Sequence, residues 1–276
     1  MNFTTTISGW GGYPKKEAKV FTPSSLLALQ SHTKIQSSFI ARGMGRSYGD
    51  SANAKVILQT TYFDHFIAFD TKTGLLTAEA GITLRDILKV IVREGWFLPV
   101  TPGTSYVTLG GAIASDVHGK NHHFAGTFGQ HVKSMNLLLG TGDVATISPT
   151  ENYDLFQATC GGMGLTGIIV CATIQLIPIK SKYITQKIIK ANCIETACEA
   201  FEKYGNSSYS VAWIDCLAMG KKLGRSVLIF GEHADTGGLD LIIKDPVAMP
   251  TPLPSTLLNS FSVKTFNNIY WSKSKN

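Results

Sequence analysis

The chain has 276 residues, with 25 Lys+Arg against 19 Asp+Glu for a formal net charge of +6, and 44% hydrophobic residues. That is chain enough for one large globular domain or two modest ones around a sizeable core. The basic residues are scattered, no zinc-finger spacing occurs, and no apolar run approaches the ~20 residues of a membrane span, which leaves nucleic-acid binding without support and gives no membrane-crossing helix.

Residues 1–20 read as an extended arm, because Gly9-Trp10-Gly11-Gly12 and Pro14 forbid a long helix. They hold no charged stretch followed by an apolar core, so no secretory leader is read there. Thr22-Pro23-Ser24-Ser25 starts a helix through about Gln30 with a hydroxyl cap. Phe39-Ile40-Ala41 is a short buried strand that runs into Arg42–Asp50, RGMGRSYGD. A strand followed by a glycine-rich turn presents backbone N–H groups to a pyrophosphate, although a tight turn alone would read the same. The third glycine of a dinucleotide fingerprint is missing, and no P-loop occurs.

Val56-Ile57-Leu58 and Phe66–Phe69 are strands, Asp70–Gly74 is a hairpin turn, and Leu75–Ala80 returns antiparallel. Apolar residues at 84, 87, 88 and 91 make one helical face over Thr83–Val92, capped by Thr83 and ended near Gly95. Trp96–Val100 is a further strand feeding Pro102–His131. That stretch holds six of the 27 glycines and four of the seven histidines, but only Asp116 and Lys120 among charged residues. Glycine gives up packing so that backbone can turn or approach something closely, so the segment reads as backbone laid against a large cofactor with polar side chains at one end. Gly119 and Lys120 beside His118 favour a functional histidine, whereas His122, His123 and His131 lack ligand-spaced carboxylates and read as hydrogen-bonding residues; no metal site is expected.

Val132–Leu139 and Val144–Ser148 pair around a Gly140–Asp143 turn, and Asp154–Thr159 is a short helix. A third glycine cluster, Gly161–Gly167, precedes a β-prone run from Ile168 to Ile177 that Pro178 stops. From about Ser181 a second domain opens with strands at Tyr183–Ile189, Tyr209–Ile214 and Ser226–Phe230 and a helix at Cys193–Tyr204. A proline-rich run, Asp245–Pro254, and a polar tail with exposed Tyr270 and Trp271 follow. Cys160, Cys171, Cys193, Cys198 and Cys216 show no C-x-x-C, read as buried thiols and lean towards a reducing compartment. No GxSxG elbow anchors hydrolase chemistry. The fold class is α+β, with three glycine-rich loops directed at one ligand.

RGMGRSYGDSA, PGTSYVTLGGAIASDVHGKNHHFAGTFG and GGMGLTGIIV together resemble the vanillyl-alcohol-oxidase or PCMH-type FAD-binding flavoenzymes, and among them the decaprenylphosphoryl-β-D-ribose 2-oxidase family. The likeness runs from Gly9-Trp10-Gly11 to Lys222-Leu223-Gly224-Arg225. It implies a two-subdomain FAD-binding fold over residues 1–180 and part of a mixed α+β substrate domain over 181–276. It assigns FAD contacts to Arg42, Gly43, Met44, Gly45, Arg46, Ser47, Tyr48, Gly49, Gly103, Thr104, Thr108, Leu109, Gly110, Gly111, Ser115, Asp116, Val117, His118, Gly164 and Ile169. Arg46 stands where covalent relatives carry histidine, which implies non-covalent FAD. His118 and Lys120, with Gly119, would face a polyprenyl-phosphate sugar whose 2-hydroxyl is oxidised to a ketone.

The resemblance also implies an NADH- or NADPH-dependent reductase partner and work at a membrane surface, so the location expected is cytoplasmic or peripherally membrane-associated. Family members are longer, and their later part carries the catalytic base; Lys264, Lys273 and Lys275 match none of its groups. The alternatives are an oxidase of another sugar or aldonolactone, or a non-catalytic flavin-holding subunit completed by a second chain.

Overall fold

The computed structural model describes residues 2–35, 38–243 and 255–274, so the proline-rich run at 245–254 lies outside the described residues. Two compact units are present, Met1–Ile179 and Lys180–Asn276.

The first unit opens with an antiparallel hairpin, β1 (Asn2–Ile7) and β2 (Lys16–Phe21). The expected arm is therefore a sheet edge. Its threonine-rich strand suits pleated backbone, and the glycines and Pro14 that exclude a helix sit in the connection. Next come α1 (Leu26–Ile35), β3 (Ile40–Arg42) and β4 (Val56–Gln59). Ser25 Oγ accepts from the Ala28 N–H at 3.2 Å as the cap, and the helix continues past Gln30 to Ile35. Both β2 and β3 run parallel to β4, in the order β1-β2-β4-β3.

The second sheet begins with β5 (Phe66–Asp70) and β6 (Leu75–Glu79), followed by α2 (Leu84–Ile91) with Thr83 as its cap. The strand expected at 96–100 is only β7 (Trp96–Phe97). Then come α3 (Leu109–Ala114), α4 (His122–Ala125), β8 (Val132–Leu138), β9 (Val144–Ile147), α5 (Tyr153–Thr159), β10 (Ile168–Gln175) and β11 (Ile177–Pro178). The sheet is antiparallel throughout, in the order β5-β6-β10-β8-β9. Pro178 does not stop the chain's pairing, because β11 forms a two-stranded ribbon with β7, where Pro178 lies opposite Trp96. Phe21, Leu29, Leu58 and Phe63 pack with Leu138 and Ile168, so one core joins the two sheets. Neighbouring Ile57 turns the other way, to Ala18, Val20 and Ile40, which buries β4 on both faces.

In the second unit β12 (Ile184–Ala191), α6 (Ile194–Lys203), β13 (Tyr209–Ile214) and β14 (Ser226–His233) form an antiparallel sheet of order β12-β14-β13 under a helix. Ala197 and Ala200 of α6 pack on Leu228 and Phe230. The expected polar tail is instead a helix, α7 (Ser260–Lys273), whose cap Asn259 accepts from the Phe261 and Ser262 N–H groups at 3.0 Å. Ala212 faces α6, while the Trp213 ring lies 4.7 Å from that of Tyr270 of α7, tilted by 45°, so the two helices cover opposite faces. Tyr270 and Trp271 are half-buried, not exposed. The expectation of buried thiols also needs correcting: Cys198, on the outward side of α6, and Cys216, in the turn after β13, are exposed. Among the described residues no helix is long and apolar enough to cross a membrane.

A polar network holds α7. Asp215, 3% exposed, pairs with Arg225 and accepts from Asn267 Nδ2 at 2.6 Å, and Arg225 donates to Asn268 Oδ1 at 3.0 Å. Burial pushes the Asp215 carboxyl up, but the bonds from Arg225, the Leu217 N–H and Asn267 outweigh it and hold the pKa below its ordinary value. Its contribution to stability is therefore present above the unfolded carboxyl pKa and lost as pH falls through the lower folded value. Asp215→Ala leaves Arg225 buried without its carboxylate and is expected to cost on the order of 3 kcal/mol. Urea melts followed by the fluorescence of Trp213 and Trp271 check this; an unchanged midpoint at neutral pH would show that the network does not hold the helix.

Candidate functional site

A cavity of about 520 Å³ opens within the first unit, inside the ~300–1,000 Å³ range of small-molecule and cofactor sites. Its first wall is the loop after β3, from Arg42 to Tyr48 with Ser51 and Ala52; its second is Pro102–Thr104 with Val107, Thr108 and the inner side of α3; its third is Met163, Gly164 and Gly167–Ile169. Two of these walls touch. A Cβ on Gly43 would lie 2.3 Å from Thr108 Oγ1 and 2.9 Å from its Cγ2, so only glycine permits the approach. Thr108 is fixed in turn because its Oγ1 accepts from the Gly111 N–H at 3.1 Å as the cap of α3.

The first wall carries unspent hydrogen-bonding capacity. Among the described residues, no acceptor is found for the backbone N–H groups of Gly43 to Tyr48. Arg46 Nε and Ser47 Oγ are buried and likewise without a partner there. Buried polar groups are normally bonded, so these two side-chain atoms, beside a row of uncommitted amides, mark a place suited to an acceptor-rich ligand. Arg42 differs from Arg46: it donates to Ala52 O and Asn53 Oδ1 at 2.8 Å and to Ser8 O at 2.7 Å, which staples the loop shut behind the cavity. Burial first, and then the neighbouring Arg46, pull the Arg42 pKa below its ordinary value. The Arg46 guanidinium lies 5.1 Å from the Trp10 ring. Apolar surface from Trp10, Val107, Met163 and Ile169 completes a lining suited to a ligand with both phosphates and flat rings.

Residues 20–148 match the family described as FAD binding domain. FAD is the cofactor, and the chain carries an FAD-binding domain of the PCMH type with α+β architecture. Over 292 aligned residues it is 36% identical to the decaprenylphosphoryl-beta-D-ribose oxidase of Mycolicibacterium smegmatis, covering 98% of this chain and 63% of that protein. It is also 31% identical to the Delta(24)-sterol reductase of Mus musculus over 49% of this chain and 26% of that protein. To the D-arabinono-1,4-lactone oxidase of Yarrowia lipolytica it is 32% identical, over 41% of this chain and 22% of that protein. The chain thus spans 63% of the length of the first of these relatives and a smaller share of the others.

The FAD-binding domain brings together on the cavity Arg42, Gly43, Met44, Gly45, Arg46, Ser47, Tyr48, Gly103, Thr104, Thr108, Gly110, Gly111, Ser115, Val117, Gly164 and Ile169. Five expected residues fall outside its lining. Gly49 lies behind the loop, where its carbonyl accepts from Asn53 Nδ2 at 3.4 Å. Leu109 is 0% exposed in the core. Asp116, at φ +39°, accepts from the Gly129 N–H at 2.7 Å. His118 and Lys120 stand exposed on the loop after Val117. The His122 and His123 rings lie 4.0 Å apart, and His131 Nε2 meets Ala125 O at 2.8 Å.

Sequence reasoning missed Trp10, Thr60, Ala80 and Met163 as lining residues. Trp10 was legible in part. It sits between Gly9 and Gly11, and its N–H donates to Ser47 O at 2.8 Å, which brings the β1–β2 connection onto the first wall. Thr60 and Ala80 carry no chemical signal, because they line the cavity only through sheet geometry.

The contact between the first two walls is testable. Gly43→Ala is expected to weaken FAD binding about tenfold or more, since overpacking costs about 1–3 kcal/mol. Quenching of flavin fluorescence on titration measures it, with a thermal melt of the apoprotein as the folding control. Unchanged affinity in a folded variant would mean that the walls can part without loss.

Proposed function

We propose that the chain is the FAD-binding part of an oxidoreductase that oxidises the 2-hydroxyl of a polyprenyl-phosphoryl ribose to the 2-keto sugar. The observation that carries this reading is the 36% identity to a decaprenylphosphoryl-beta-D-ribose oxidase over 98% of this chain. We assign residues 1–180 to the FAD-binding domain and 181–276 to part of a substrate domain.

The cavity supports the cofactor half of the proposal on its own terms. The amides of Gly43 to Tyr48, which have no acceptor among the described residues, would hold the pyrophosphate with Arg46 and Ser47. Gly110 and Gly111 let the second wall stay close, and Ile169 would lie at the adenine end. Arg46 cannot form the histidine linkage of covalent relatives, so FAD is held without a covalent bond. What FAD supplies when bound is a two-electron acceptor for hydride from a carbinol carbon.

The chain's own part is to bind, orient and neutralise. Lys120 offers an ammonium group to the sugar phosphate, and His118 a ring nitrogen to a sugar hydroxyl. No residue of this chain is assigned to take the hydroxyl proton. A ketone product needs a separate hydride donor to become the epimer, which places an NADH- or NADPH-dependent reductase next in sequence. The net charge of +6 favours the anionic surface on which a polyprenyl phosphate resides.

The test is anaerobic mixing of FAD-loaded protein with a short-chain polyprenyl-phosphoryl ribose, with free ribose and an aldonolactone as controls. Bleaching of the flavin band by the lipid-linked sugar alone is the expected result. Bleaching by the lactone instead would overturn the substrate, and no flavin band after incubation with FAD would overturn the cofactor site.

A further inference from the structure

We infer that Asn121 is a positioning residue that ties the loop bearing His118 and Lys120 to the second wall of the cavity. Its functional consequence rests on the proposed substrate-side role of those two residues. The base of the loop is closed by backbone. The Val117 N–H donates to Ala112 O at 3.0 Å, the Phe128 N–H donates to Val117 O at 2.9 Å, and His118 bridges Thr127. Beyond that base His118, Lys120, His122, His123 and Phe124 are exposed, so packing does not fix them.

Asn121 is the exception at 6% exposed. Its Nδ2 donates to Pro99 O at 2.7 Å, and its backbone carbonyl accepts from the Phe124 and Ala125 N–H groups at 3.1 and 2.9 Å. One residue therefore organises the tip of the loop and pins it just before Pro102, where the wall begins. The direction is unambiguous, because only the amide NH₂ can face a carbonyl. The docking is tight as well: a Cβ on Gly119 would lie 2.8 Å from both Asn121 Oδ1 and Thr101 O.

Asn121 Oδ1 is buried and has no partner among the described residues. A buried acceptor left unpaired costs stability, and an apolar side chain here would avoid that cost only by taking the donor away from Pro99 O. What asparagine provides instead is a directional bond at a fixed place. Lys120 and His118 are one and three residues from Asn121, and they inherit that placement through a short span of backbone.

Two variants test this. Asn121→Asp keeps the shape but removes the donor to Pro99, and Asn121→Ala removes the side chain. Hydrogen exchange on the FAD-loaded chain, read by mass spectrometry, is expected to quicken about tenfold over residues 118–125 in both, with 43–49 unchanged. In flavin reduction by polyprenyl-phosphoryl ribose, the apparent substrate dissociation constant is expected to rise about tenfold with the limiting rate changed less than about threefold.

Unchanged exchange over 118–125 in Asn121→Ala overturns the tether, whether or not the wild-type chain is reduced by substrate. Faster exchange with an unchanged substrate constant overturns the positioning role and leaves a structural one. Absence of reduction in the wild-type chain tells against the proposed substrate, and the exchange result still decides the tether.

Discussion

The cavity depends on how closely two stretches of backbone approach each other. Gly43 faces Thr108 with no room for a methyl group, and the same Thr108 hydroxyl caps α3. A single side chain therefore sets the spacing between two walls and the direction of the helix that forms one of them. Both walls issue from rigid elements: β3 is paired to β4, and α3 follows a segment in which the Leu84 and Arg85 N–H groups bond to Val107 O and Ser105 O at 2.9 Å. The core that joins Phe21 and Leu58 to Leu138 and Ile168 then holds the two sheets together. A loop can be glycine-rich and still well placed when everything beside it is this constrained.

The same loop concentrates positive charge. Arg42 uses its guanidinium on three acceptors of the protein, whereas Arg46 keeps Nε buried and unpaired among the described residues. An arginine does not lose its proton at any ordinary pH, so the lowered Arg42 pKa reflects the cost of burying a charge, with Arg46 nearby, and not a titration. Burial causes most of that cost and Arg46 adds to it. An anionic ligand beside Arg46 would relieve the repulsion, and a neutral one would not. The charges, like the geometry, would suit the pyrophosphate proposed for this loop.

Glycine clusters made the three walls legible in the sequence, because a strand that ends in glycine has few other uses. The hydrophobic periods of 84, 87, 88 and 91 likewise located α2 with its cap. Other parts were not legible, for identifiable reasons. Gly110 and Gly111 lower helix propensity by about 1 kcal/mol each relative to alanine, so nothing in the pattern announces α3; tertiary packing decides it. The β1–β2 hairpin was hidden because its connection, rich in glycine and proline, dominates the reading of short strands. His118 and Lys120 stand on the motif with the strongest family likeness, yet they lie outside the cavity lining, since Val117 is the last residue of that segment to face it.

The helix α7 and the loop around Asn121 share a physical cause for escaping notice. Hydrophobic patterning finds elements that are placed by burial of an apolar face. The buried residue of α7 is Asn267, held to Asp215, and Arg225 reaches it through Asn268 and lies 5.2 Å from the Trp271 ring. The side chain that anchors the 117–127 loop is an asparagine on a carbonyl. In each case a directional polar bond in a buried place does what a row of leucines does elsewhere. Such bonds add little net stability, but they admit few alternative geometries, so they locate an element more narrowly than apolar contact of the same area. A segment held in this way has a sequence that looks like a loop or a polar tail, and its place in the fold becomes visible only when the partner, distant in sequence, is known.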